Sequence, residues 1–447
     1  MPKVRSYEAS DIVHLEGLEP IIQNVGMYLG DSGPKGLHHM ILEVISNSID
    51  EATNGYGSII NVTIGKDGSL SVEDFGRGMP VAMHPKYHKP ALEILMCMMN
   101  SGGKMVKDAS YKVSAGLHGL GTKIVNALSD FTEVTVYRDG KEYFQRFEKG
   151  LKVTELLVKG KSSRTGTILK FKPRKDIFKE TTEWNYSTIK AMVKRMCYLN
   201  SHITINLTDE RSKKKESFHY PNGVVGMVMD SIGSETSKIM SNPIRIVGTT
   251  PTIMRDGRES EYEVEVVFTY VDSSSENIVS FANAAPTIDG GTHVQGFRSA
   301  LTRTINEAAR NLDKLKAKDE NLKGSEITEG IVAVVNAKVP DPIYESQTKV
   351  KLTNPEVAGQ TMSIITEKLK HWFEDNPKET SKILDKILQT RKIRDSIRKY
   401  KDALLNKNNK VQQLLDTTGK LSPCSGRDTL VNEIILVEGK HLINRPR

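Results

Sequence analysis

The sequence predicts an α+β chain of two to three domains, and three observations lead there. A helical run of apolar residues is followed at once by short β-rich segments, and the same mixture returns after residue 223. The 447 residues are 38% apolar and 26% charged, an ordinary balance for a folded soluble protein. That length holds two to three units of roughly 100–200 residues each.

Each element has its own signal. Residues 37–54 place Leu37, Met40, Ile41, Val44, Ile45 and Ile49 at mostly three- and four-residue spacing, the period of a helix with one buried face. The turn Gly30-Asp31-Ser32-Gly33-Pro34 precedes it. Strands are expected at 59–64 and 69–73, joined by the hairpin signal Lys66-Asp67-Gly68. Residues 91–99 read as a helix, and Ser101-Gly102-Gly103 opens a loop reaching Gly121. A short helix at 122–128 and strands at 133–137, 142–148 and 167–171 complete a mixed α/β layer. A boundary is expected at Tyr220-Pro221-Asn222-Gly223. Beyond it come strands at 262–270 and 330–339 and a helix at 297–312. A long helical stretch runs from Pro355 and breaks at Asn376-Pro377, where Asn376 can cap, Pro377 fits the first turn and Glu379 stands third. After about residue 406 the chain turns polar, then gives one β-type run at 433–437. The expected domains are 1–220, 221–405 and 406–447.

Composition excludes several classes. No apolar run approaches the ~18 residues of a membrane span, and the N-terminus shows no secretory h-region. Cys97, Cys197 and Cys424 are scattered, which excludes a disulfide framework or a four-cysteine zinc site and suits a reducing compartment. Net charge is +8, and residues 382–410, with ten Lys/Arg and three Asp, supply +7 of it. Such a helix can meet phosphate backbones, or form a solvated face.

Four short elements carry chemistry. In Glu43-Val44-Ile45-Ser46-Asn47-Ser48-Ile49-Asp50-Glu51, helical spacing puts Glu43, Asn47 and Asp50 on one face, where they can hold a water and a hydrated Mg2+. Asp74-Phe75-Gly76-Arg77-Gly78-Met79-Pro80 follows a strand. Its glycines let backbone approach a flat ligand, and Asp74 can accept from an exocyclic amine. Gly116-Leu117-His118-Gly119-Leu120-Gly121 opens a helix and can cradle phosphates. It lacks the Gly-Lys-Ser/Thr ending of a P-loop and the βαβ setting of a dinucleotide fold. Gly166-Thr167 begins a strand. The ordered set of four, rather than any one of them, points to a nucleotide.

This set resembles the GHKL (Bergerat) ATPase fold of type II topoisomerases, heat-shock chaperones, MutL repair proteins and histidine kinases. The chain is similar throughout to the B subunits of bacterial type IIA topoisomerases, gyrase or topoisomerase IV. Gly36-Leu37-His38-His39-Met40, Tyr111-Lys112-Val113-Ser114, Asp289-Gly290-Gly291-Thr292-His293 and Val339-Pro340-Asp341-Pro342 carry the likeness. So does Ser346-Gln347-Thr348-Lys349, which is like the loop of the family's second domain that reaches back to the γ-phosphate. The resemblance implies a GHKL α/β sandwich, then a ribosomal-S5-like transducer domain with a long C-terminal helix.

It also implies roles. Glu43 would be the general base, with His39 orienting it, and Asn47 would hold Mg2+ on the triphosphate. Asp74 would accept from the adenine amine, with Thr167 supporting it through water. Arg77 would pair with Glu51 and lie over the adenine, and Gly78, Met79, Pro80 and Leu95 would line the base pocket. Lys104, Tyr111 and Lys112 would belong to a lid, and Gly116, Leu117, His118, Gly119, Leu120 and Gly121 would wrap the phosphates. Tyr7 would reach a partner protomer's nucleotide, Gln347 and Lys349 the γ-phosphate, and Arg298 a captured DNA duplex. ATP and Mg2+ are thus the implied ligands. The implied partners are double-stranded DNA, a second copy of the chain on ATP binding, and the DNA-cleaving A subunit, in the cytoplasm.

Two stretches depart from the pattern. Ile22-Gln23-Asn24-Val25 replaces a basic stretch and a proline. Residues 421–439 look like the opening of a TOPRIM domain, with Glu438 as its first carboxylate, but Lys440 to Arg447 do not continue it. A lone Glu438 cannot hold a two-metal centre, so strand cleavage is not expected from this chain alone. A non-cleaving ATP-gated DNA clamp is the alternative. A chaperone or repair ATPase is disfavoured by the Gln347-Thr348-Lys349 loop.

Overall fold

The computed structural model describes residues 12, 14–102, 119–233, 236–254, 257–346 and 348–418, with side chains as far as 403. The unit up to Ile383 carries both sheets, and a second unit begins at Leu384.

The first half runs α1 (Glu19–Gln23), α2 (Val25–Tyr28), α3 (Pro34–Thr53), β1 (Ile59–Ile64), β2 (Leu70–Asp74), α4 (Ala91–Cys97), α5 (Gly121–Ala127), β3 (Ser129–Arg138), β4 (Lys141–Glu148), β5 (Leu151–Lys152), β6 (Leu157–Lys161), β7 (Gly166–Pro173), α6 (Tyr186–Leu199), β8 (Thr204–Asp209) and β9 (Lys214–Phe218). Its sheet has the order β5-β4-β3-β7-β2-β1-β8-β9, with β6 also paired to β4. Only β1 and β8 run parallel among these pairs; the rest are antiparallel. Alternation along the strands buries Ile60, Val62 and Ile64 of β1 and Val134 and Val136 of β3, and leaves the residues between them on the other face. The apolar stripe of α3 (Leu37, Met40, Ile41, Val44, Ile45, Ile49) joins the same core.

The second half has α7 (Gly223–Asp230), β10 (Ile244–Ile253), β11 (Glu259–Tyr270), β12 (Asn277–Ala282), β13 (Ala285–Pro286), α8 (Thr292–Asn311), α9 (Gly324–Ile327), β14 (Ile331–Lys338) and α10 (Pro355–Asp375). Its sheet order is β10-β11-β14-β12-β13. Strand β14 is buried along all but its last residue, as a central strand covered on both faces must be. Val224 and Val228 of α7 pack with Val332 and Val334 of β14, while α8 and α10 lie against each other. The two helices approach so closely that a Cβ at Gly296 would stand 2.5 Å from the Ala358 carbonyl oxygen. The Tyr262 hydroxyl, 2.6 Å from Thr361 Oγ1, ties β11 to α10.

Three expectations change. Helix α8 starts at Thr292 rather than 297, because Gly291, at φ +135°, ends the preceding turn. The break at Asn376 is present, but the Asn376 side chain donates back to the Trp372 carbonyl at 2.9 Å, closing α10 rather than capping the next helix. Helix α11 (Pro377–Thr418) then continues past the polar turn expected near 406. The β-type run at 433–437 lies outside the described residues.

Candidate functional site

Helix α3, the end of β2, the start of β7 and the first turn of α5 converge on a cleft of about 350 Å3. That is within the usual size for small-molecule sites, roughly 300–1,000 Å3. Glu43, Asn47, Ser48 and Glu51 line it from α3. Asp50, expected on this face, is buried and does not line the cleft. A helix advances about 100° per residue, so i+4 and i+8 from Glu43 drift together onto the cleft while i+7 falls on the flank.

Asp74 sits at the end of β2, and three donors converge on it. The Gly76 and Thr167 backbone N–H groups donate to Oδ1 at 3.0 and 3.2 Å, and the Ser48 hydroxyl donates to Oδ2 at 3.1 Å. Burial pushes its carboxyl above the ordinary aspartate value, these hydrogen bonds pull it down, and the Glu51 charge adds to the rise. Thr167 meets Asp74 directly, and its Oγ1 also accepts from the Met79 N–H at 3.2 Å. The pairing of Arg77 with Glu51 is present. Its backbone N–H and Nε reach Oε2 at 3.1 and 3.0 Å, and Nη2 reaches Oε1 at 2.8 Å. The guanidinium lies 4.5 Å from the centre of the Tyr56 ring.

At the other end, Glu43 Oε1 lies 3.4 Å from His39 Nε2 and 3.8 Å from Lys349 Nζ. A Cβ at Gly121 would stand 2.5 Å from Glu43 Oε2, so a side chain there would displace the carboxylate from its present position. Asn47 Nδ2 donates to the Glu43 carbonyl at 2.9 Å. Lys349 reaches the cleft from the loop after β14, at φ +57°, with its N–H on the Ser346 carbonyl at 3.0 Å. The neighbouring His38 is structural. Its ring bridges the Pro34 carbonyl at 2.7 Å and the Asn185 N–H at 2.9 Å.

Gly78, Met79, Pro80, Leu95, Gly119, Leu120 and Gly121 line the cleft as expected. Arg298 does not. It lies on α8 in a separate hollow with Arg303 and Asn306, its guanidinium paired to Glu276. Tyr7, Lys104, Tyr111, Lys112, Gly116, Leu117, His118, Gln347 and Glu438 lie outside the described residues.

Sequence reasoning missed Ser48, Arg138 and Lys123. Arg138 Nη1 donates to the Gly78 carbonyl at 2.8 Å. Lys123 is almost wholly buried, donating to the Ser101 carbonyl at 2.7 Å and to that of Gly119, and burial pulls its ammonium down to about 8. Its position directly after the Gly116–Thr122 motif was the available signal. Among the described residues there is no cluster of three or more His, Cys, Asp or Glu able to hold a metal, and no helix long and apolar enough to cross a membrane.

Residues 32–176 match the family model "Histidine kinase-, DNA gyrase B-, and HSP90-like ATPase", and residues 223–403 match the model "DNA gyrase B". The DNA gyrase B subunit of Thermotoga maritima is 41% identical over 436 residues, 98% of this chain and 67% of that one. Its counterpart in Halalkalibacterium halodurans is 39% identical over 436 residues, 97% of this chain and 66% of its own. The chain thus spans about two thirds of the length of these relatives. The crystal structure of the 43K ATPase domain of Thermus thermophilus gyrase B, in complex with an aminocoumarin, superposes with a TM-score of 0.69 at 32% identity, covering 86% of this chain and 98% of that one. The chain therefore belongs to the DNA gyrase B family of type IIA topoisomerase subunits, with a GHKL-type ATPase fold in its first half.

Proposed function

We propose that the chain is the ATP-operated part of a type IIA topoisomerase B subunit, binding ATP in the α3–β2 cleft and hydrolysing it. The observation that carries this reading is the 3.8 Å approach of Lys349, from the second half of the chain, to Glu43 on α3.

Asp74 accepts from the adenine amine, with Thr167 beside it and the Arg77–Glu51 fork bordering the base. Glu43 polarises the attacking water and His39 orients it, the usual division between a base and its positioner. Lys349, together with Gln347, reads the γ-phosphate. In contact with that phosphate, Lys349 neutralises charge developing on the phosphoryl group. Loss of the γ-phosphate then releases the loop that carries Lys349, a switch in which one charged group controls a larger element. Mg2+ suits this donor set. One amide oxygen from Asn47 beside phosphate oxygens is the sparse, all-oxygen environment that ion takes, and when bound it would neutralise phosphate charge.

On this reading residues 1–220 form the ATPase domain, 221–405 the transducer and 406–447 a linker with the start of a TOPRIM domain. ATP binding brings two copies together around a duplex that Arg298 faces, and the A subunit cleaves DNA, all in the cytoplasm. The test is ATPase rate against protein concentration, with Glu43→Ala as control. A steeper-than-linear rise that vanishes in the variant supports a dimerising gate. Strictly linear dependence means hydrolysis without dimerisation or by a permanent dimer, and absence of hydrolysis overturns the reading.

A further inference from the structure

Asp74 and Thr167 both lie just beyond the point where β2 and β7 stop pairing, since the ladder runs from Leu70↔Phe171 to Glu73↔Ile168 and ends. Past that point each strand end keeps its outer partner, Asp74 opposite Ile60 and Thr167 opposite Val136, and the gap between the two is bridged by the Thr167 N–H on Asp74 Oδ1 at 3.2 Å. Arg164, two residues before Gly166, lies across that gap on the opposite face of the sheet. Its Nη2 donates to Glu73 Oε1 at 2.5 Å, and its guanidinium lies 4.0 Å from the centre of the Tyr137 ring and 5.2 Å from that of Phe75. It therefore grips the residues on both sides of Asp74. Its Nε is buried with no hydrogen-bond partner, so the rings hold that part of the guanidinium by stacking. Glu73 is anchored in turn: Asn61 Nδ2 donates to its Oε2 at 2.8 Å, and Asn206 Nδ2 donates to Asn61 Oδ1 at 2.9 Å. This polar chain crosses from the β7 end over β2 and β1 to β8. Because successive strand side chains point to opposite faces, Glu73 and Arg164 act from behind the cleft that Asp74 faces.

We propose that Arg164 is a positioning residue for recognition of the base: it sets the distance between Asp74 and Thr167, and so selects a ring bearing an exocyclic amine, without touching the nucleotide. This rests on the reading of the cleft as an adenine site. The test is magnesium-nucleotide affinity by titration calorimetry, using ATP and inosine triphosphate, whose base carries a carbonyl in place of the amine. The chains compared are the wild type, Arg164→Ala, Arg164→Lys and Glu73→Gln. Arg164→Ala is expected to weaken ATP binding about tenfold and inosine triphosphate less than about twofold, with kcat at saturating ATP nearly unchanged. Arg164→Lys should recover part of the preference, since it keeps the ion pair and loses the planar stack. Glu73→Gln, which leaves the shape intact, should move in the same direction as Arg164→Ala and serves if that variant does not fold. Equal losses for both nucleotides, or no loss for either, overturn the proposal alone. A wild type with no preference for ATP overturns the adenine reading of Asp74, and the proposal with it.

Discussion

Lys349 Nζ lies 3.8 Å from Glu43 Oε1, and the same oxygen is 3.4 Å from His39 Nε2. Two nitrogen groups from different parts of the chain thus share one carboxylate oxygen. If Glu43 is the base, Glu43→Gln should keep nucleotide binding and lower turnover at least about 100-fold. Lys349→Ala should lower turnover as well, but also weaken ATP relative to ADP, because only ATP has the phosphate that Lys349 would reach. Steady-state rates together with ATP and ADP titrations check both. A Lys349→Ala chain that loses ATP and ADP affinity equally would place the lysine elsewhere.

Asp74 offers a second test. In Asp74→Asn the amide oxygen can keep the Gly76 and Thr167 N–H bonds, and the amide nitrogen then faces the Ser48 hydroxyl, which can accept. The fold should persist while the acceptor for an amine is lost, so ATP affinity should fall roughly 100-fold with little change in Tm. The pH dependence has a definite sign. Burial raises the folded-state pKa of Asp74 above 3.8, so folding favours its proton, and the ionised acceptor costs stability as pH rises through that window. A ligand amine favours the ionised form, so ATP affinity should decline on acidification while the pH is still above 3.8. Titrations across pH should show that decline in the wild type and not in Asp74→Asn.

Much of this was legible in the sequence, and the rest was hidden for physical reasons. The stripe Leu37 to Ile49 and the Lys66-Asp67-Gly68 hairpin are local signals, and the structure has both elements. Long-range pairing leaves no such trace. Strand β1 lies parallel to β8, with Ile59 opposite Thr204, although about 145 residues separate them, and β8 and β9 were not foreseen. In the cleft, Glu43 and Asn47 share a face by periodicity, but periodicity cannot say which flank a neighbouring strand covers, so Asp50 was placed wrongly and Ser48 overlooked. Lys123 stands beside the glycine motif, but its burial was hidden for another reason. Its partners are backbone carbonyls, which any residue supplies, so no carboxylate at a telling spacing announces a buried ammonium.

Gly30 links the loop before α3 to the loop that carries Lys349. It has φ +92°, and a Cβ there would stand 2.2 Å from Thr348 Cγ2. Gly30→Ala therefore adds both backbone strain and a collision one residue from Lys349. It should destabilise the chain by about 1–3 kcal/mol and lower ATPase turnover. Thr348→Ser removes the methyl group that is struck, so the double variant should recover turnover while keeping part of the loss in Tm. Thermal unfolding and rates on the two single variants and the double separate the effects. If Thr348→Ser restores nothing, the collision is not what disturbs Lys349.

Lys123 gives a prediction on stability rather than turnover. Its ammonium is buried and drawn down to about 8 from an ordinary 10.5, chiefly by desolvation. The folded state therefore binds its proton less tightly than the unfolded state does. Between about pH 8 and 10.5 the unfolded chain carries the extra proton, so this group's contribution to stability rises with pH across that window and is least favourable below it. The full span is on the order of 3 kcal/mol. Lys123→Met keeps the stem volume and removes the charge, but leaves the Ser101 and Gly119 carbonyls without their donor. Tm against pH should therefore rise for the wild type relative to Lys123→Met between pH 8 and 10, whichever chain is the more stable at pH 7. A difference that stays flat with pH would mean that the two carbonyls hold Lys123 charged throughout that range, and that its ionisation is not linked to folding.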